Sequence, residues 1–165
     1  IVLNGFSKVH LMSGWRIGYI AFNQSSKLDA LRENLPKLAR VRIATNLPVQ
    51  YAALESLRGP QGYIAEFVSE IKKRRDLVVK RLNSMPGLSC PNPKGAFYAF
   101  PKIEDNRFGT DKEFVQKLLE SKGVLTVHGS GFGEKYGSGH FRLVYLPSLE
   151  ILDSAMNKIE EFVSQ

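Results

Sequence analysis

Between Gly59-Pro60 and Met85-Pro86-Gly87 lies a stretch that reads as a single helix from about Gln61 to Ser84. The Gly-Pro pair stops any helix before it, and the Pro-Gly turn closes the stretch at its far end. Inside the stretch Ile64, Phe67, Val68, Ile71, Val78 and Leu82 fall on one stripe at helical spacing. A helix of this length spans about 35 Å, comparable to the width of a small domain, which favours a connector between two lobes over an element within one small core. The chain is therefore expected to divide into residues 1–59 and residues 60–165.

Composition agrees with that division. With 165 residues, 43% of them hydrophobic, the chain suffices for one compact core, or for one domain with part of a second. Strand-like segments ("IVL", "RIGYIAF", "GAFYAFPKI", "VLTVHGSGFG", "HFRLVYL") alternate with helical ones, so the class is α/β. Ile1–Leu3 and Arg16–Phe22 read as buried strands, with Lys8 on the connection between them. Ser26-x-x-Asp29 has the form of a capping box, and Pro36 is expected to kink or end the helix it opens. Asn46 before Leu47-Pro48 marks the next helix start. Thr110-x-x-Glu113 opens a helix with Phe114, Val115, Leu118 and Leu119 inward, and Gly123 closes it. Leu149, Leu152, Met156, Ile159 and Val163 mark a final amphipathic helix.

The formal charge of +7 suits an anionic partner, and Lys72-Lys73-Arg74-Arg75 is the densest basic run. Because it lies on the polar side of the long helix and no stacking aromatics interleave it, a solvated helix face is the better reading than a nucleic-acid surface. No apolar stretch reaches bilayer length and no basic, apolar leader is present, so a soluble cytoplasmic protein without membrane or nucleic-acid partners is expected. Cys90 is the single cysteine; it excludes an internal disulfide and has no second thiol for a metal pair. His10 and His140 show no ligand spacing and read as structural or surface residues, with no metal expected. A first residue of Ile, directly in a strand-like run, suggests an upstream part outside this sequence.

The segment Ser7-Lys8-Val9-His10-Leu11-Met12-Ser13-Gly14-Trp15-Arg16 places two cations at the ends of neighbouring strands. A lysine amine can bond covalently to a carbonyl, and the planar fork of an arginine suits a phosphate. Asn4-Gly5-Phe6-Ser7-Lys8 followed by Ser13-Gly14-Trp15-Arg16-Ile17-Gly18-Tyr19 resembles the cofactor-lysine signature of the class I/II aminotransferases, fold-type I enzymes that use pyridoxal 5'-phosphate. The resemblance implies that Lys8 holds the cofactor covalently, that Arg16 grips its phosphate and that Ser7 adds a hydroxyl there. Many relatives carry a serine three residues before the lysine, where this chain has Gly5.

The likeness continues along the chain. Thr45-Asn46-Leu47-Pro48 with Gln50 resembles a family segment near the dimer interface, and Gly95-Ala96-Phe97-Tyr98 resembles the small-domain strand lining the substrate pocket. Gly129–Gly133 matches the family's glycine turn, with His128 where proline is usual. His140-Phe141-Arg142-Leu143 resembles the late strand whose arginine binds the substrate α-carboxylate, the alternative for Arg142 being a strand-edge salt bridge. The resemblance implies a fold in which 1–59 is the end of the large-domain sheet, a remnant of the cofactor-binding domain, and 60–165 is a connecting helix with the small α/β domain. It implies transfer of an amino group between an amino acid and a 2-oxo acid, Lys8 being the base at Cα, in a homodimeric parent. The family's upstream glycine-rich turn and ring-holding residues are not in this sequence, so the isolated chain is expected to be inactive. Two alternatives stay open at this point. One is another fold-type I enzyme, such as a lyase, or an aminotransferase-like regulator domain; the other is a basic, non-catalytic binding module.

Overall fold

The computed structural model describes residues 1–41, 43 and 45–165, with the backbone alone at residue 106. Its first 66 residues and residues 67–165 form two separate compact units, so the division falls within the long helix, a few residues past Gly59-Pro60.

In the first unit, β1 (Val2–Gly5) leads directly into a single-turn helix, α1 (Phe6–Val9), and the chain returns as β2 (Gly18–Ala21). The strands pair antiparallel with Val2 opposite Ala21, Leu3 opposite Ile20, Asn4 opposite Tyr19 and Gly5 opposite Gly18. Two expectations are corrected here. The return strand is shorter than Arg16–Phe22, because Arg16 takes a left-handed backbone (φ 54°) that cannot continue a ladder. Neither strand is buried: in this two-stranded ribbon Leu3 is 74% and Ile20 43% exposed.

The next helix also departs from its sequence signals. The cap is Ser25 rather than Ser26, its Oγ accepting from Lys27 N at 3.4 Å, and a short 3-10 turn (Ser26–Leu28) precedes α2 (Asp29–Arg40). Asp29 is thereby the acidic first-turn residue and pairs with Arg32. Pro36 neither ends nor shortens α2, which runs on to Arg40 although proline supplies no N–H to the turn before it. In α3 (Leu47–Arg58) Pro48 sits in the first turn, where its missing N–H costs nothing, and Ala53 packs against Phe6 and Met12 in a small core.

The long helix, α4, runs from Gly62 to Ser84 and sends Ile71, Val78 and Leu82 into the core of the second unit. Its basic run is tied into the chain. Lys73 pairs with Glu70, Arg74 donates to the Leu146 carbonyl, and Arg75 pairs with Asp76 and donates to the Pro93 carbonyl. After the Met85–Gly87 turn come β3 (Leu88–Ser89), β4 (Tyr98–Ala99) and β5 (Lys102–Ile103). "GAFYAFPKI" is thus not one strand: buried Pro101, with no N–H for a ladder, separates β4 from β5, and the two join different sheets.

The remaining elements are α5 (Asp111–Lys122), β6 (Val127–His128), α6 (Glu134–Gly137), β7 (Phe141–Val144) and α7 (Leu149–Val163). β7 is central in a three-stranded antiparallel sheet, with β4 on one side and β6 on the other. Its alternate residues Phe141 and Leu143, with Tyr145 beyond, enter a core built with α4, α5 and α7. Phe114 is the aromatic hub there, 5.0 Å from the Phe141 ring and 5.3 Å from those of Phe108 and Phe162. Of the four apolar residues predicted inward on α5, Phe114 and Leu118 are buried, whereas Leu119 is exposed.

The Thr110 capping box forms as expected. Thr110 Oγ1 accepts from Glu113 N at 3.2 Å, and the Glu113 carboxylate accepts from Thr110 N at 2.7 Å. Gly123 closes α5 with φ 68°. Buried Cys90 receives a hydrogen-bond framework from Asn83, and burial pushes its thiol up, which keeps it an unreactive core residue. In urea unfolding of the second unit, Thr110→Ala is expected to lower stability by about 1 kcal/mol and Phe114→Ala by about 3–5 kcal/mol. Equal losses for the two variants would contradict this account of the core.

Candidate functional site

The β1–β2 pairing decides where the first group of site residues lies. With Gly5 opposite Gly18 at the end of the ribbon, Phe6 N still reaches Ile17 O at 3.3 Å, and the chain between them closes as a compact loop. His10 N and Met12 N both donate to Phe6 O at 3.2 Å, and buried Phe6 and Met12 anchor the loop beneath. Ser7 and Lys8 therefore leave one side of the loop from α1, and Arg16 leaves its return. Lys8 and Arg16 are exposed, while Ser7 is half-buried.

Two backbone features hold this arrangement. An added Cβ on Gly18 would lie 2.8 Å from the Asn4 carbonyl oxygen, so only glycine permits the strands to approach at that point. Arg16, a residue with a full side chain, occupies the left-handed region at a cost of roughly 1–2 kcal/mol. Such strain persists where the surrounding structure over-determines it. The Arg16 guanidinium donates to Ser13 O at 3.0 Å, and among the described residues no carboxylate forms an ion pair with it. The loop thus presents a lysine, a serine hydroxyl and an arginine from one ribbon end, a donor set suited to a phosphorylated carbonyl compound. His10 lies 2.8 Å from the Tyr63 hydroxyl and 5.2 Å from the centre of the Phe6 ring.

Arg142 belongs to the second unit. It lies on β7 between Phe141 and Leu143, and strand alternation turns it to the face opposite the core. Its guanidinium carbon sits 4.4 Å from the centre of the Phe132 ring and 4.9 Å from that of Tyr98. Its Nε is buried with no hydrogen-bond partner, and among the described residues no carboxylate pairs with it, so the strand-edge salt bridge does not form there. Arg142 also lines a cavity of about 870 Å³ between β6, β7 and α7, together with Thr126, Val127, Val144 and Ile151.

Phe132 reaches Arg142 from the glycine turn, a 3-10 segment of Gly129–Phe132. That turn depends on two glycines meeting backbone to backbone: an added Cβ on Gly129 would lie 2.2 Å from Gly137 O, and one on Gly137 would lie 2.0 Å from Gly129 O. The sequence alone offers His128 no partner, and the structure supplies several. Its Nδ1 is 3.0 Å from the Ser130 hydroxyl, accepts from Gly131 N at 3.2 Å and lies 3.9 Å from Asp111 Oδ2. Asp111, 5% exposed, accepts from Ser130 N at 2.7 Å. No single-sequence signal points to Asp111, because its partners lie 17 and 19 residues away across a strand.

The sequence pattern of the family described as "Aminotransferase class I and II" matches residues 1–159. The chain belongs to the class I and II aminotransferases. A probable aspartate/prephenate aminotransferase of Rhizobium leguminosarum bv. phaseoli is 38% identical over 98% of this chain, and a glutamate-pyruvate aminotransferase of Haemophilus influenzae is 35% identical over 99%. Among solved structures, an alanine aminotransferase from Pyrococcus furiosus superposes with a TM-score of 0.93 at 50% identity over 99% of the chain. The aspartate aminotransferase from Rhizobium meliloti superposes with a TM-score of 0.84 at 34% identity, also over 99%. The chain spans about two fifths of the length of these relatives, 41% to 42%. The fold is accordingly a mixed α/β portion of a fold-type I aminotransferase, and members of this family use pyridoxal phosphate. Among the described residues no helix is long and apolar enough to cross a membrane.

The glycine turn also carries a pH dependence. Burial pushes the Asp111 carboxyl up, but hydrogen bonds from the Ser130 N–H, the Ser130 hydroxyl and its own backbone N–H, with nearby His128, outweigh it and hold the group below its ordinary value of 3.8. A carboxyl depressed on folding binds fewer protons folded than unfolded, so its contribution is complete above about pH 4 and is lost as pH falls through the folded value. Asp111→Ala is expected to cost about 1–3 kcal/mol at pH 7, by leaving Ser130 N–H unpaired. In urea titrations the gap between this variant and the parent chain should narrow toward pH 2; a gap independent of pH would contradict the assignment.

Proposed function

We propose that this chain carries the lysine and two anion-gripping arginines of an aminotransferase that moves an amino group between an amino acid and a 2-oxo acid. The observation that carries the reading is the ribbon end that presents Lys8, Ser7 and Arg16 together, within a chain that belongs to this family.

The residues fit pyridoxal 5'-phosphate. Lys8 would hold it covalently, Arg16 would take its phosphate with a fork that no carboxylate of the described residues occupies, and Ser7 would add a hydroxyl. When bound, the cofactor supplies the electron sink for a substrate whose Cα–H bond is being broken. The chain's own residues supply position and proton transfer. Once the substrate's amine has taken its place, the freed Lys8 Nζ would take the proton from Cα and deliver it to the carbon that bore the cofactor's carbonyl, and Arg142 would receive the α-carboxylate and so set which Cα bond is presented. The buried, partnerless Nε of Arg142 and the aromatic rings on its guanidinium support that role over a structural ion pair. The names of the relatives, aspartate/prephenate, glutamate-pyruvate and alanine aminotransferases, support amino acids and 2-oxo acids of these kinds as substrates without selecting one.

In this reading residues 1–59 belong to the large cofactor domain, and residues 60–165 are the connecting helix and small domain. The parent is a cytoplasmic homodimer of amino-acid biosynthesis. The isolated chain is inactive, because its ribbon, with Val2, Leu3 and Ile20 exposed, lacks the rest of the sheet that would wall the cofactor.

Incubation of the full-length protein with pyridoxal phosphate, borohydride reduction and peptide mapping should place the covalent tag on Lys8. A tag on another lysine overturns the assignment. In the same protein Arg142→Ala should weaken amino-acid binding by about 2–5 kcal/mol, since a desolvated charge pair is broken. Unchanged affinity would make Arg142 a structural residue.

A further inference from the structure

An arginine that must receive a carboxylate gains from being held in place beforehand, since its side chain carries about 2 kcal/mol of rotamer entropy. In this chain no acid among the described residues holds Arg142; aromatic rings do, and one of them stands on a turn that has its own anchor. The ring of Phe132 is the nearer, at 4.4 Å, and it also meets Phe100 edge-on at 6.0 Å, while Phe100 stacks on His140 at 5.2 Å. Phe132 closes the 3-10 turn begun at Gly129. His128 occupies the cap position of that turn with extended backbone (φ −63°, ψ 140°).

Gly131 N–H can only donate, so His128 Nδ1 accepts from it, as a capping asparagine oxygen would. Asp111 holds the adjacent amide, Ser130 N, at 2.7 Å, and the Ser130 hydroxyl lies 3.0 Å from His128 Nδ1. Two consecutive amides of the turn are thus taken by side chains, one from the strand end and one from the first turn of α5. We infer that His128, with Asp111, is a positioning residue that fixes the Gly129–Phe132 turn and so keeps the Phe132 ring on the Arg142 guanidinium. Its consequence for substrate affinity rests on the proposed carboxylate role of Arg142; the positioning itself does not.

The test uses nuclear magnetic resonance of this chain labelled with nitrogen-15, reading the Arg142 Nε–H signal. In the parent chain that proton is expected upfield of exposed arginines, shifted by the rings over its guanidinium, and slow to exchange because Nε is buried. His128→Ala should move it toward the exposed-arginine position and speed its exchange at least tenfold. His128→Asn, which keeps an acceptor for Gly131 N–H, should restore both. If the alanine variant does not fold, His128→Phe keeps a ring without the acceptor and is expected to show the same loss. An Arg142 signal unchanged in the folded alanine or phenylalanine variant overturns the proposal, as does failure of asparagine to restore it.

Acetate titration separates the two readings. Acetate should shift the Arg142 signal of the parent chain, with a dissociation constant several-fold higher in His128→Ala and parent-like in His128→Asn. A ring-shifted signal that tracks the His128 variants as expected but does not respond to acetate supports the positioning and overturns the carboxylate role.

Discussion

The two-residue period of strand β7 is the constraint on which the second unit depends. Phe141, Leu143 and Tyr145 must all enter the core, and a pleated strand then leaves Arg142 no choice but the opposite face. A slip of one residue would bury the guanidinium and expose the aromatic residues. β4 and β6 flank the strand and hold its register, Tyr98 opposite Val144 and Val127 opposite Arg142, so the core and the candidate carboxylate site are set by the same pairing. Packing of Phe114 on Phe141 at 5.0 Å locks that register from the helix side.

A comparable economy operates in the first unit. Opposed glycines, Gly5 and Gly18, let the ribbon close tightly enough that α1 and the return segment emerge side by side. The left-handed Arg16 is the conformational cost of that closure, met by a small core of Phe6, Met12 and Ala53. Lys8 sits within a single-turn helix too short to be stable alone, so its placement comes from the ribbon and from the buried Phe6 rather than from helix propensity.

Much of this is readable in the residues. The long helix, the Thr110 capping box, the Gly123 stop and the final amphipathic helix all arise from local chemistry, and each forms. Local rules fail at two prolines. Pro36 reads as a helix end, yet α2 continues past it; "GAFYAFPKI" reads as one strand, yet Pro101 splits it between two sheets. The lysine and arginine motif stands out because its residues are close in sequence. His128 and Asp111 do not, because what joins them is a bond geometry between a strand end and a helix start.

By itself the sequence determined the five longer helices, most of their ends, and which two cations share a short loop, since capping, glycine stops and spacing are local matters. Only the tertiary structure decided what those residues face. It showed Arg142 held by aromatic rings rather than by any acid among the described residues, His128 serving as a cap, and the first two strands lying open to water. The physical reason is that side-chain partners and burial depend on which distant backbone arrives beside a residue. No local pattern in a single chain encodes that arrival.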